Sequence, residues 1–130
     1  MNRTDFIKNL LSIGMMGLII RTPEKKAPER VEMYDAFVRG LVFAEGRHYV
    51  SRMKAGEPLT MKREPKNPYD STAIALYYDN IKIGYVPAED NYILSNMLDA
   101  GHGRFFAQIK EVFPSAPYYE QVHFCIKSEG

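Results

Sequence analysis

The chain has no tryptophan, one cysteine and almost no net charge, and each shortage removes a class of explanation. Cys125 alone forms no internal disulfide, which excludes a disulfide-stapled scaffold and suits a reducing compartment; a cytoplasmic location is expected. A formal charge of +1 excludes recognition of a polyanion by overall charge, so any such partner has to be met by local cations. Long hydrophobic runs are missing too. The apolar stretch from Leu10 to Ile20 is too short to span a bilayer, and Gly14 and Gly17 weaken its far end. No small-x-small cleavage pattern separates it from the charged segment beyond, so it reads as a packing or partner-binding helix rather than an export signal. Paired cysteine and histidine spacings are absent, as is any D-x-D carboxylate cluster; His123-x-Cys125 by itself is a surface histidine beside a core cysteine. No metal, no cofactor and no enzymatic activity are expected.

What is present is a chain of 130 residues, 45% hydrophobic and 25% charged, enough for one compact domain with a single core. Residues 4–20 read as a helix with Thr4 as N-cap, and "RTPEKKAPER" (21–30), with two prolines and six charges, as a solvated linker. The domain proper then covers 31–130, after an N-terminal segment of 1–30. Period-two patterns predict strands in "DAFVRGLVF", "PLTMKRE" from Pro58, "TAIALYY" to Tyr78 and "IKIGYV", the last two joined by a tight Asp79-Asn80 turn. Pro87 suits the first residue of a helix closed by Gly101, with Ile93, Leu94, Met97 and Leu98 as its buried face. "RFFAQIKEVF" and "YYEQVHFCI" supply two late strands around "PSAP". About six strands with one internal helix and an extra N-terminal helix predict a mainly β (α+β) fold, a small barrel or sandwich with helices at its edge.

The chemistry concentrates in "REPKNPYD". Pro65 and Pro68 fix φ, remove two donors and push Glu64 and Asn67 toward extended conformations, making a rigid loop. A ring or carboxylate on such a loop loses less entropy when it meets a ligand. Tyr69 and Asp70 are therefore candidates, although Asp70 capping its own turn and Tyr69 covering core would explain the same residues. Upstream, six cations (Arg47, Arg52, Lys54, Lys62, Arg63 and Lys66) face three glutamates between Leu41 and Lys66, and "GRHYV" interleaves Arg47 with His48 and Tyr49. Cations beside flat rings suit single-stranded nucleic acid.

"REPKNPYDSTAI" followed by "IGYVP", with "LVFAEGRHY" upstream, resembles the HIRAN domain over about Phe37 to Ile126. The resemblance implies a modified OB-like, SH3-like β-barrel that binds the free 3′ end of single-stranded DNA in repair or replication, alone or beside a partner enzyme. It implies that Arg47 contacts phosphate, Tyr69 stacks near the terminal base, Asp70 accepts a hydrogen bond from the 3′-hydroxyl, and Tyr118, or Tyr119, stacks further along. His48, Tyr49, Asn67 and Tyr85 complete the expected interface. His48 stands where relatives have an aromatic, and Gly84 to Ala88 lacks their basic residues, which implies weaker, more salt-sensitive binding. The competing expectation is a non-catalytic interaction module, with the barrel as scaffold and residues 6–20 docking a protein or a membrane surface.

Overall fold

The computed structural model describes residues 29–129. The expected N-terminal helix, its docking or membrane role, and nearly all of the linker lie outside the described residues. Six strands form one antiparallel sheet: β1 (Arg30–Phe37), β2 (Pro58–Arg63), β3 (Ile74–Tyr78), β4 (Ile81–Tyr85), β5 (Phe105–Val112) and β6 (Val122–Glu129). Their order is β1-β6-β5-β2-β3-β4. The two ends of this row meet, because Arg39, just past β1, pairs with Tyr85 of β4 through backbone hydrogen bonds of 2.9 and 2.8 Å. Gly84 permits that approach: its φ of 146° is unfavourable for other residues, and an added Cβ would collide with the Arg39 carbonyl. The sheet thus curls into the expected mainly β, OB-like barrel.

Alternation along the strands turns Leu76, Ile83, Ile109, Phe124 and Ile126 into a common interior, closed by Val38 and Leu41. Removing these side chains from water is the main stabilising term. Cys125 is buried as well, and burial pushes its thiol pKa up, as befits a core cysteine. His123 is bound by Asp35 at 2.8 Å.

Several local expectations are corrected. The first strand ends at Phe37, because Gly40 adopts a left-handed conformation (φ 78°) and turns the chain into a 3₁₀ turn over Leu41–Phe43. Two further 3₁₀ turns, Glu45–His48 and Val50–Arg52, lead on toward β2. Tyr118–Glu120 is likewise a 3₁₀ turn, and β6 begins only at Val122. Pro87 opens another such turn, Ala88–Asp90, while the helix α1 spans Tyr92–Ala100 behind the N-cap Asn91. Gly101 ends α1 as expected, in a left-handed conformation with its N–H on Leu98 O. Ile93 is 70% exposed, not buried; Leu94 and the half-buried Leu98 face inward as expected, Met97 is half-buried, and Ser95 joins the enclosed side. The later start of α1 sets this phase, with Asn91 and Ser95 taking the enclosed side.

Candidate functional site

The loop between β2 and β3, residues 64–73, is held from three directions. Asn67 acts at its centre: its Oδ1 accepts from the backbone N–H of Tyr69 (2.9 Å) and Asp70 (3.2 Å), and its Nδ2 donates to Glu64 Oε1 (2.9 Å). Asparagine suits such a turn because its side chain imitates a further peptide unit. Glu64 is fixed in turn by Lys82 Nζ (2.7 Å) and by the Tyr85 hydroxyl (2.8 Å), both from β4. Burial pushes the Glu64 carboxyl pKa up, but the bonds donated by Lys82, Asn67 and Tyr85 outweigh it and hold the group below its ordinary value.

Arg63, at the end of β2, is the second clamp. Its guanidinium donates to the Ser71 and Ala73 carbonyls and makes a two-pronged bond to Asp99 of α1, at 2.9 and 3.0 Å. The third clamp is Asp70. Its Oδ1 accepts from the Thr72 hydroxyl (2.6 Å) and the Thr72 N–H (2.9 Å), and its Oδ2 accepts from Asn91 Nδ2 (2.8 Å). The Thr72 side chain, then Asn91, then the Thr72 backbone lower the Asp70 pKa, so its carboxylate is ionised at neutral pH. Asp70 therefore does cap its own turn, and it also lines a groove.

Tyr69 does not cover core. Its side chain is 96% exposed and stands between two grooves. The first, about 690 Å³, runs between Tyr69 and Phe43, which is itself 88% exposed, and is walled by Arg39, Asn67, Asp70 and Tyr85. The second, about 560 Å³, lies toward Glu64, Pro65 and Lys66. Two unsupported aromatic rings facing a groove with a carboxylate on its wall form a site that can receive a flat ring and one hydrogen-bond donor.

Asn67, Tyr69, Asp70 and Tyr85 are thus brought together. Arg47, His48, Tyr49 and Tyr118 do not line either groove. Arg47 is half-buried and donates to the Ala44 carbonyl at 2.8 Å; its turn is pressed onto β4 at Gly46, where a Cβ would lie 2.8 Å from Lys82 O. His48 is exposed, and Tyr49 packs against the core with Arg52 over its ring at 5.6 Å. Tyr118 belongs to a turn that packs on Leu41–Phe43, the turn carrying Phe43, whereas Tyr119 lines a separate cleft with Phe37 and Glu89. The six-cation zone also disperses: Arg63 is spent on the loop, and Lys62 lies over Tyr77 at 4.5 Å.

Four residues escaped the sequence reading. Phe43 and Arg39 sat inside a supposed strand, where Gly40 was the available sign of a turn. Thr72 and Asn91 are 19 residues apart and meet only when α1 folds against the loop.

A small closed barrel with an aromatic groove beside a braced hairpin loop places this molecule among OB-like binding domains. The family model described as "HIRAN domain" matches residues 31–127, and the chain belongs to that family. A crystal structure of a protein from Lactobacillus plantarum superposes with a TM-score of 0.67 at 18% identity, covering 80% of this chain and 100% of that one. The HIRAN domain of human HLTF gives 0.57 at 18% identity, covering 77% and 78%. No curated protein sequence gives a significant match.

Proposed function

We propose that this domain, residues 31–130, binds the free 3′ end of single-stranded DNA in the groove between Phe43 and Tyr69, in a repair or replication setting. The observation that carries this reading is the ionised Asp70 carboxylate on the wall of a groove flanked by two exposed rings. Rings that stack on bases contribute about 1–3 kcal/mol each. A carboxylate in such a place repels phosphate, and it favours a strand end by accepting a hydrogen bond from a hydroxyl. A strand end offers that hydroxyl; a blocked end replaces it with further negative charge. Lys66 flanks the second groove and supplies a cation for the backbone, and Arg39 beside the first can do so on leaving its ion pair with Glu89. Arg47 joins them on releasing the Ala44 carbonyl, and Tyr118, beside the Phe43 turn, offers a further ring along the strand.

The groove binds and orients; nothing in the reading requires it to make or break a bond. The test is a fluorescence-polarisation titration with otherwise identical single strands ending in 3′-hydroxyl or 3′-phosphate. A preference for the hydroxyl end, removed by Asp70→Ala, supports the reading. Arg47→Ala should weaken both ends alike and flatten the salt dependence. Equal, weak binding to every end would instead favour an interaction module that presents Phe43 and Tyr69 to a protein.

A further inference from the structure

Asn91 is an asparagine in a position that it does not use in the ordinary way. At a helix N-cap its side-chain oxygen would normally accept from the first free backbone N–H groups. Here it makes no such cap. The side chain is 1% exposed and turns instead to the loop: Nδ2 donates to Asp70 Oδ2 at 2.8 Å, and Oδ1 lies 2.8 Å from the Thr72 hydroxyl oxygen. Thr72 has one hydroxyl hydrogen, which goes to the closer and charged acceptor, Asp70 Oδ1 at 2.6 Å. Reversing the Asn91 amide would press its oxygen against an ionised carboxylate, so the charge on Asp70 itself sets the orientation. A helix, a turn and a carboxylate thereby meet in one cluster, in which the Asn91 and Thr72 oxygens touch at 2.8 Å without a hydrogen between them.

The acceptor count gives the cluster a purpose. A carboxylate offers about four lone-pair positions. Thr72 takes two on Oδ1, and Asn91 takes one on Oδ2. One remains, on a residue that lines the groove. We propose that Asn91 is a positioning residue for end recognition: by occupying Oδ2 from the helix side, it leaves one acceptor for the groove, matched to a ligand carrying a single hydroxyl hydrogen. This rests on the end-binding reading above. Arg63, the cation acting on Asp70 from β2, is engaged by Asp99 and by loop carbonyls and does not compete for that position.

The experiment uses the full chain as wild type, Asn91→Ala, Thr72→Val and Thr72→Ser. Fluorescent oligothymidylates ending in 3′-hydroxyl or 3′-phosphate are titrated over a range of salt, and the Asp70 carboxyl carbon is followed by NMR against pH. Asn91→Ala and Thr72→Val are expected to lower the hydroxyl-to-phosphate affinity ratio about fivefold or more, with the salt slope of the wild type retained. In both, Asp70 should titrate closer to an ordinary aspartate. Thr72→Ser keeps the hydroxyl and should keep the ratio. A folded Asn91→Ala protein whose ratio stays within about twofold of wild type overturns the proposal while the wild-type hydroxyl preference leaves the function standing. Absence of any wild-type preference removes both. Should Asn91→Ala fail to fold, Thr72→Val decides by the same ratio.

Discussion

Replacing Asp70 by asparagine alters one oxygen and one charge, and the surrounding groups determine how the site responds. The new amide can keep its oxygen toward Thr72, which donates to Asp70 Oδ1 from both its hydroxyl and its N–H. Its nitrogen then faces Asn91, and Asn91 has only to reverse its own amide, offering Oδ1 to that nitrogen and Nδ2 to the Thr72 oxygen. A ring then closes with every group paired, so the substitution should fold with little loss of stability. The change falls on the groove side, where the one open acceptor becomes an N–H donor. In the wild type a 3′-hydroxyl gains a bond to a charged acceptor, about 1.5–3 kcal/mol or roughly 10- to 150-fold. A 3′-phosphate there meets repulsion on the order of 1–4 kcal/mol for unit charges about 4 Å apart, between the limits of water and a protein surface. Asp70→Asn removes both effects and gives the phosphate a donor. The preference should therefore invert, not merely vanish. Competition fluorescence polarisation at fixed salt, with the two strand ends displacing a common probe, reads the ratio directly. Retention of the wild-type hydroxyl preference in a folded Asp70→Asn protein would refute the role given to the charge, and with it the end-binding reading.

Three other perturbations test separate parts of the site. Tyr69→Ala should cost about 1–3 kcal/mol of strand affinity, the worth of one stacked base, while thermal unfolding moves within about 0.5 kcal/mol because the ring is almost wholly exposed. Glu89→Gln releases Arg39, now held at 2.6 Å in an exposed ion pair worth about 0–1 kcal/mol. Both strand ends should bind up to about fivefold more tightly, and the slope of log affinity on log salt should steepen by about 0.7, as for one added phosphate contact; an unchanged slope would separate Arg39 from the strand. Acid should destabilise the domain through Asp70 and Glu64, whose folded pKa values are depressed. Their contribution is complete above their unfolded values of about 3.9 and 4.3 and is lost as pH falls through the folded ones, so the melting temperature should hold from pH 7 to about 5 and drop below about 4. Asp70→Asn should flatten that drop, as followed by circular dichroism.

The strands were legible because their signal is local. Alternation in "IALYY" and "IKIGY", with a turn between, needs no knowledge of the rest of the chain. The first strand was misplaced because Val38, Leu41 and Val42 continue the apolar pattern across Gly40, and periodicity cannot register one residue's left-handed backbone. Helix α1 was visible, but its phase was not. Pro87 and two acidic residues favour a helix start, yet they open a 3₁₀ turn, and the shift to Asn91 exposes Ile93. The same shift places Asn91 within reach of Asp70, so the misread boundary and the hidden partner share one cause.

The stiffness expected of "REPKNPYD" also has a different origin from the one its prolines suggest. Prolines restrict φ, but they cannot orient a carboxylate, and in this loop Asn67, Arg63 and the Thr72–Asn91 pair do so through directional bonds. The clamps reach two elements: β4 through Glu64 for Asn67, and α1 for both Arg63, at Asp99, and Asp70, at the N-cap Asn91. Three anchors, one to β4 and two to α1, fix the backbone on either side of Tyr69 while leaving its ring almost wholly exposed to a ligand. A residue 96% exposed on a braced loop gains nothing for the fold by being aromatic, whereas a base that stacks on it meets a ring whose backbone is already set. The polar bracing and the bare ring are therefore two parts of one arrangement, in which the fold fixes the position of a surface that it leaves uncovered.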